Sequence, residues 1–359
     1  MNIRSISRFA AGLFGTAILA LCASSFNLQP GKADLKSAGA LAFGPDNILF
    51  VGDTPGAAIW ALDVQDHASA KSGGSIEVQG INEKIAALLG TAPDQILIND
   101  TAVNPVSKNI YISVSRGRGP DATAVILRVD AAGKISEVAL DSIAHSSVKF
   151  VDAPAASTNG RQVETITSIA YIDGNVIVAG LSNEEFSSSL RSIPFPFNGA
   201  VEGAGIRIYH GSHGRFETAA PVRTFIPYEI DHQKSILAAY TCTPLVKISV
   251  SQLKPGAKVE GTTIAELGAG NRPIDMIVYE KDGKHFILMA NSSRGVMKLS
   301  AENLETYKPI TAHTEVTGVP YETIAALKNV QRLKKYDDGT ALLLQGAGGS
   351  MDLRTIALP

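Results

Sequence analysis

Two cysteines, Cys22 and Cys242, are all that these 359 residues hold. A framework of several internal disulfides is thereby excluded, and with it the small stapled scaffolds of secreted proteins. Aromatic residues are sparse at 6%, with a single Trp. No apolar run reaches the ~20 residues that carry a helix across a bilayer. Several strings that mark familiar chemistries are also missing: a GxSxG nucleophile turn, a GxxxxGK[ST] phosphate loop, an HExxH zinc helix and a CxxCH haem attachment site. Covalent haem and the common hydrolase triads are therefore unsupported.

The N-terminus has a different character from the rest. Arg4 and Arg8 precede an apolar run from Phe9 to Leu21, and small residues follow at Cys22 to Ser25 and at Ala33. That order is the one expected of a secretory signal peptide, and the run is too short for a stable anchor. Residues 1–33 are therefore expected to be a leader and 34–359 a single domain, periplasmic or secreted. LeuAlaLeuCys at 19–22 also resembles a lipoprotein signal, in which case Cys22 would carry a lipid anchor. Removing Arg4, Arg8 and Lys32 leaves 29 basic against 34 acidic side chains. An acidic chain of this kind is a poor partner for nucleic acid or an anionic membrane.

What the chain has in abundance is a repeat. Short apolar runs open at Asn47, Asn109, Asn175, Ser235, His285 and Thr340, each just after a tight-turn signature such as GlyProAsp at 44–46 or AspGly at 173–174, 282–283 and 338–339. A second run follows each: AIWALD, VILRVD, GIRIYH, LVKISV, VMKLSA and MDLRTI. A third precedes the turn, as in AlaLeuAlaPhe at 40–43 and SerIleAlaTyrIle at 168–172. Copies recur every 50 to 65 residues or so, each a meander too small to bury its own faces. Packing such meanders radially buries those faces and protects strand edges, so the expected fold is an all-β propeller of six four-stranded blades. Residues 35–39 would close the ring as the last blade's fourth strand. A seventh blade within 182–222 is the alternative. The best helical stretch, residues 82–89, is expected to pack between the first and second blades.

All six tight turns fall on one face. The opposite face is expected to receive the variable links, among them 116–123, 142–162, 182–204 and 307–328, and hence the site. Polar groups that recur there are the ligand-binding candidates: Asp53, Asn99, Thr241, Cys242, Asn291 and Arg294. Asp100, Glu164 and Asp275 offer the oxygen ligands that Ca²⁺ prefers. His145 could serve as a general base and Arg116 as an anion clamp. HisGlySerHis at 210–213 sets two imidazoles three residues apart, short of the three or four ligands zinc takes.

The pattern of strand, AspGly turn, strand and a run such as ValMetLysLeuSer at 296–300 resembles the six-bladed propellers of the NHL and SMP-30/gluconolactonase-like group over nearly the whole domain. In the gluconolactonase-like members an acid on the first inner strand holds the metal. The matching residues 39–45 carry no acid here. Soluble quinoprotein sugar dehydrogenases share the fold and use a catalytic His with cationic neighbours. The resemblance thus leaves two expectations: a binding or assembly module for a small molecule or protein, or a Ca- or quinone-dependent enzyme acting on a lactone, ester, alcohol or sugar at the mouth of the central channel.

Overall fold

A computed structural model describes residues 26–70, 74–155, 160–347 and 349–359. The chain is all-β and forms a β-propeller. Among the described residues the ring is built of six meanders, whose second strands are Ile48–Asp53, Ile110–Arg116, Asn175–Leu181, Gln233–Ala239, Lys284–Asn291 and Thr340–Ala347. Each starts within two residues of the position read from the repeat. These strands are apolar almost throughout because a sheet lies against both of their faces. The innermost strand of each meander has a free edge toward the axis. Thr224–Ile230 therefore tolerates Pro227, whose missing N–H would break a ladder on an interior strand.

Inter-sheet packing gives the order of the ring. One core cluster joins sheets one and three through Phe50, Ile59, Val176 and Ile193. Others join three with four, four with five, and five with six. Two more join six with two, and two with one. The spatial order is therefore 2-1-3-4-5-6, with the first two meanders exchanged relative to the chain. The reason lies in the outer strands. The fourth strand of sheet one, Ile143–Lys149, enters the chain only after sheet two is complete and pairs with Ala58–Asp63. Glu77–Val78 meanwhile crosses to pair with Leu353 and Arg354 on the last sheet and closes the ring.

Several expectations are corrected here. Residues 35–39 form no strand; the Asp53 carboxylate instead accepts hydrogen bonds from the N–H groups of Lys36 and Ser37, each at 2.9 Å. The helix Ile81–Leu88 packs between sheets two and six, not one and two. The interval 182–222 holds no seventh meander among the described residues. It supplies Ser188–Pro194, Ala204–His210 and Arg215–Glu217, all in sheet three. GIRIYH is accordingly that sheet's fourth strand, not its third. Residues 26–33 belong to the fold: Gln29–Gly31 pairs with Ile143–His145, Leu28 and Ala33 are buried, and Phe26 stacks on Phe195. Residues 1–25, with the apolar run and Cys22, lie outside the described residues.

Among the described residues one charged pair is wholly buried. Arg191 on sheet three donates to Asp152 and to the Leu181 carbonyl, and its guanidinium lies 4.4 Å from the centre of the Phe150 ring. Asp152 also accepts from the Gly203 N–H at 3.0 Å. The pair ties the link from sheet one into sheet three, with the guanidinium's Nη1 left without a partner among the described residues.

Candidate functional site

Antiparallel neighbours alternate direction, so the links between second and third strands all open on the face opposite the tight turns, where the inner strands begin. The expected division into a plain and an elaborated face holds only in part. The stretch 195–203 follows a third strand and lies on the tight-turn face, while 143–149 and 188–194, read as loop, are strands. The long connection after Gly295–Ser300 leaves on the tight-turn face, climbs the outside of sheet four, where Val316–Gly318 pairs with Ala265–Leu267, and then returns.

At the channel, polar residues of the inner strands reach sideways to the neighbouring strand. Asp275 on sheet five accepts from the Leu333 N–H on sheet six at 2.9 Å. Arg332 on sheet six donates to the Asn99 carbonyl on sheet two at 2.9 Å. Asp100 on sheet two accepts from the Leu41 N–H on sheet one at 2.9 Å. Each of the three residues follows a register shift in its own strand. The extra residue at such a bulge turns a side chain from the sheet toward its neighbour.

Lys334 lies between two of these groups, 2.9 Å from Asp100 and 3.1 Å from Asp275. Burial pushes the Asp275 carboxyl above its usual range, although Lys334 opposes this. Burial alone would lower the Lys334 ammonium, but the two carboxylates more than offset it and hold it above its ordinary value. This pair of carboxylates thus has an internal cation, and a Ca²⁺ ion there would have to displace it. Glu164 lies apart from them in the hydrogen-bond network, paired with Arg223 at 2.5 Å.

The other sequence candidates divide by what they touch. Asp53 is buried and satisfied by loop N–H groups, including that of Gly56 at 3.1 Å. Asn99 donates to the Ala38 carbonyl and to Ser115. Asn291 is buried, donating to the Met289 carbonyl and accepting from Asn271. Arg294 donates to the carbonyls of Gly268 and Ala269. These four hold the loops in place. Thr241 accepts from Arg223 at 3.0 Å and belongs to the mouth. Arg116 is exposed at the end of its strand. His145 is not in a loop: it sits on sheet one's outer strand, three strands out from the innermost one, with Nδ1 2.9 Å from the Ile143 carbonyl. Cys242 is turned toward His210 and His213, away from the axis.

What the sequence reading missed is a pair of guanidiniums, those of Arg223 and Arg272, beside Arg332. Arg223 and Arg272 each stand one residue before an inner strand, on sheets four and five, and Arg332 lies near the start of the next inner strand, on sheet six. Burial, then the nearby charge of Arg223 and, less strongly, of Arg332, lower the pKa of Arg272, with Glu164 opposing. Arg223 is neutralised by Glu164, and Arg332 sits on backbone carbonyls with the Asp100 carboxylate 3.7 Å away. Arg272 is exposed as a residue but its guanidinium is partly shielded from water, and it has no hydrogen-bond partner or ion pair among the described residues. Aligning the repeat on the residue before each inner strand would have found Arg223 and Arg272.

No protein-family model and no curated relative matches the chain. Among solved structures it is similar to the quinone-bound aldose sugar dehydrogenase of Streptomyces coelicolor, at 10% identity and a TM-score of 0.32 over 91% of this chain and 96% of that one. It is similar to streptogramin B lyase, at 9% identity and a TM-score of 0.33 over 93% and 98%. It is also similar to Drosophila plexin A, solved with semaphorin 1b, at 9% identity and a TM-score of 0.39 over 92% and 87%. Likenesses this distant leave function to the chain's own residues.

Proposed function

We propose that the protein is an exported propeller module that binds a small anionic ligand, a carboxylate or phosphate, at the channel mouth on the face where the inner strands begin. The observation that supports this is Arg272: an unpartnered guanidinium flanked by Arg223 and Arg332, in a chain that is acidic overall. Glu164, Asp100 and Asp275 at the mouth are taken up by Arg223, Arg332 and Lys334, so the Arg272 guanidinium is the charge left over, and a planar guanidinium pairs with carboxylate or phosphate through two parallel hydrogen bonds. The quinone-dependent enzyme draws on the same feature, since a quinone bearing carboxylates would answer these charges. Sugar-dependent dye reduction by the quinone-loaded protein separates it from the module.

Calorimetry with citrate, inorganic phosphate and pyrroloquinoline quinone tests the reading. Binding of at least one is expected to weaken with added salt, and Arg272→Ala is expected to weaken it about tenfold or more, since a charge-assisted hydrogen bond contributes about 1.5 to 3 kcal/mol. Indifference of all three probes to both changes would overturn it.

Export carries its own expected result. Because Phe26, Leu28 and Ala33 pack within the fold, the exported protein begins at or before Phe26, with cleavage among the small residues at 22–25. Intact-mass measurement reads this directly, and a start at Asp34 would contradict it. Among the described residues no helix is long and apolar enough to cross a membrane.

A further inference from the structure

On the same face but away from the axis, where sheets three and four meet, the fold brings together three side chains that lie apart in the sequence. Ala204–His210 is the outer strand of sheet three and runs parallel to Lys258–Gly261 of sheet four. Beyond it the chain turns through residues 211–214 and returns as Arg215–Glu217, pairing His210 with Arg215 and Ile208 with Glu217. Gly214, at φ +64°, makes that turn possible. The returning strand carries the Glu217 carboxylate back across the turn. Its two oxygens lie 2.9 Å from His210 Nδ1 and 2.8 Å from His213 Nδ1.

Both imidazoles are thus oriented by one carboxylate, and each is left with Nε2 as its available nitrogen. The rings lie 3.8 Å apart between centroids. Cys242 approaches from the link between the second and third strands of sheet four, fixed by its N–H donating to the Asn271 carbonyl at 2.8 Å. His210, His213 and Cys242 each present a ligand atom within 4.8 Å of the other two.

One orphaned atom marks this place as unfinished. His210 is 2% exposed, and its Nε2 has no hydrogen-bond partner among the described residues. Leaving a buried polar atom unpaired costs about 1–3 kcal/mol, so such atoms call for an occupant. His213 is 41% exposed on its side chain, which leaves the cluster open to solvent on one side.

We propose that His210, His213 and Cys242 form a Zn²⁺ site, with Glu217 as the carboxylate that orients both imidazoles and the fourth position open to solvent. A thiolate with two imidazoles is a borderline-soft donor set that suits zinc, and three protein ligands plus one open position is the arrangement of zinc that binds a water or a ligand. Zinc with Zn–N near 2.0 Å and Zn–S near 2.3 Å sets ligand atoms roughly 3 to 4 Å apart, a small contraction of the present cluster. The carboxylate behind the histidines fixes which nitrogen faces the ion and raises its basicity. The site also gives Cys242 a partner in an oxidising compartment, where no second cysteine is found among the described residues. It adjoins the arginine mouth through Thr241 and Asn271 but shares no ligand side chain with it, so zinc binding and Arg272-dependent anion binding are read separately.

The test uses the whole chain, stripped with chelator and titrated with Zn²⁺ and with Co²⁺ as the spectroscopic probe. One Zn²⁺ per chain is expected, and the Co²⁺ form should show a thiolate-to-metal charge-transfer band with the intense visible bands of tetrahedral cobalt. Cys242→Ala should lose the charge-transfer band while keeping the apo protein's melting curve. Glu217→Gln should weaken Zn²⁺ binding about 10- to 100-fold, as loss of such a supporting carboxylate does elsewhere. Substoichiometric zinc, a cobalt spectrum lacking the sulfur band, or a Cys242→Ala variant that binds Zn²⁺ as tightly as the parent would each overturn the assignment.

Discussion

Replacing Asp152 by alanine is expected to lower the free energy of unfolding by about 3–5 kcal/mol, a large share of the ~5–15 kcal/mol that separates native from unfolded in most domains. Arg191 is fully buried, and burial already pulls its pKa down against the stabilising charge of Asp152. Without that carboxylate a guanidinium remains in the interior with only the Leu181 carbonyl and the Phe150 face as compensation. Adding Arg191→Met removes the uncompensated charge, so the double variant should be more stable than Asp152→Ala alone. Arg207→Ala, which breaks an ion pair exposed on both sides, should change stability by less than about 1 kcal/mol. Urea unfolding of the three variants reads these differences. An Asp152→Ala protein within about 1 kcal/mol of the parent would refute the ion pair's role.

Lys334→Met is the second large effect, about 3 kcal/mol at neutral pH. The change leaves Asp100 and Asp275 facing each other without the ammonium between them, while the methionine keeps much of the lysine's apolar stem. The dependence on pH has a definite sign. Asp275 has a folded pKa above its ordinary value of 3.8, so the folded state binds the extra proton, and stability falls as pH rises through the interval between the two values. Removing Lys334 pushes the folded value higher still and widens that interval. The deficit of the variant should therefore be largest at pH 7 and shrink as the pH falls and a carboxyl takes up a proton. Lys335→Met, which loses an exposed pair with Asp338, provides the matched control and should be nearly neutral. A deficit that is flat with pH would mean that the lost lysine acts through packing alone.

A β-propeller was legible in the sequence because hairpin chemistry is local. A turn such as Asp282–Gly283, with φ of +52° and +70°, declares itself in a few residues, and period-two apolar runs on either side declare the strands. Strand starts could be read to within two residues for the same reason. The outer strands were harder. Ile143–Lys149 and Gln29–Gly31 carry no local sign of which sheet edge they will cover, since any open edge offers the same row of N–H and C=O groups.

The candidate residues divide in the same way. Asp53, Asn99 and Asn291 were found because polar residues at strand ends stand out, but their partners are nearby backbone groups whose positions depend on the packed loops. Arg191, Lys334 and Arg272 looked like ordinary surface residues, since their significance comes from neighbours 39, 59 and 49 positions away in the chain.

By itself the sequence determined the repeat, its hairpins and the all-β class, because each of these is set by residues within a few positions of one another. Only the tertiary structure decided the exchanged order of the first two sheets, the lysine between two aspartates and the meeting of His210, His213 and Cys242. Those follow from which sheet faces which across the ring, and that is chosen by the burial of whole surfaces, a property no short stretch of chain contains.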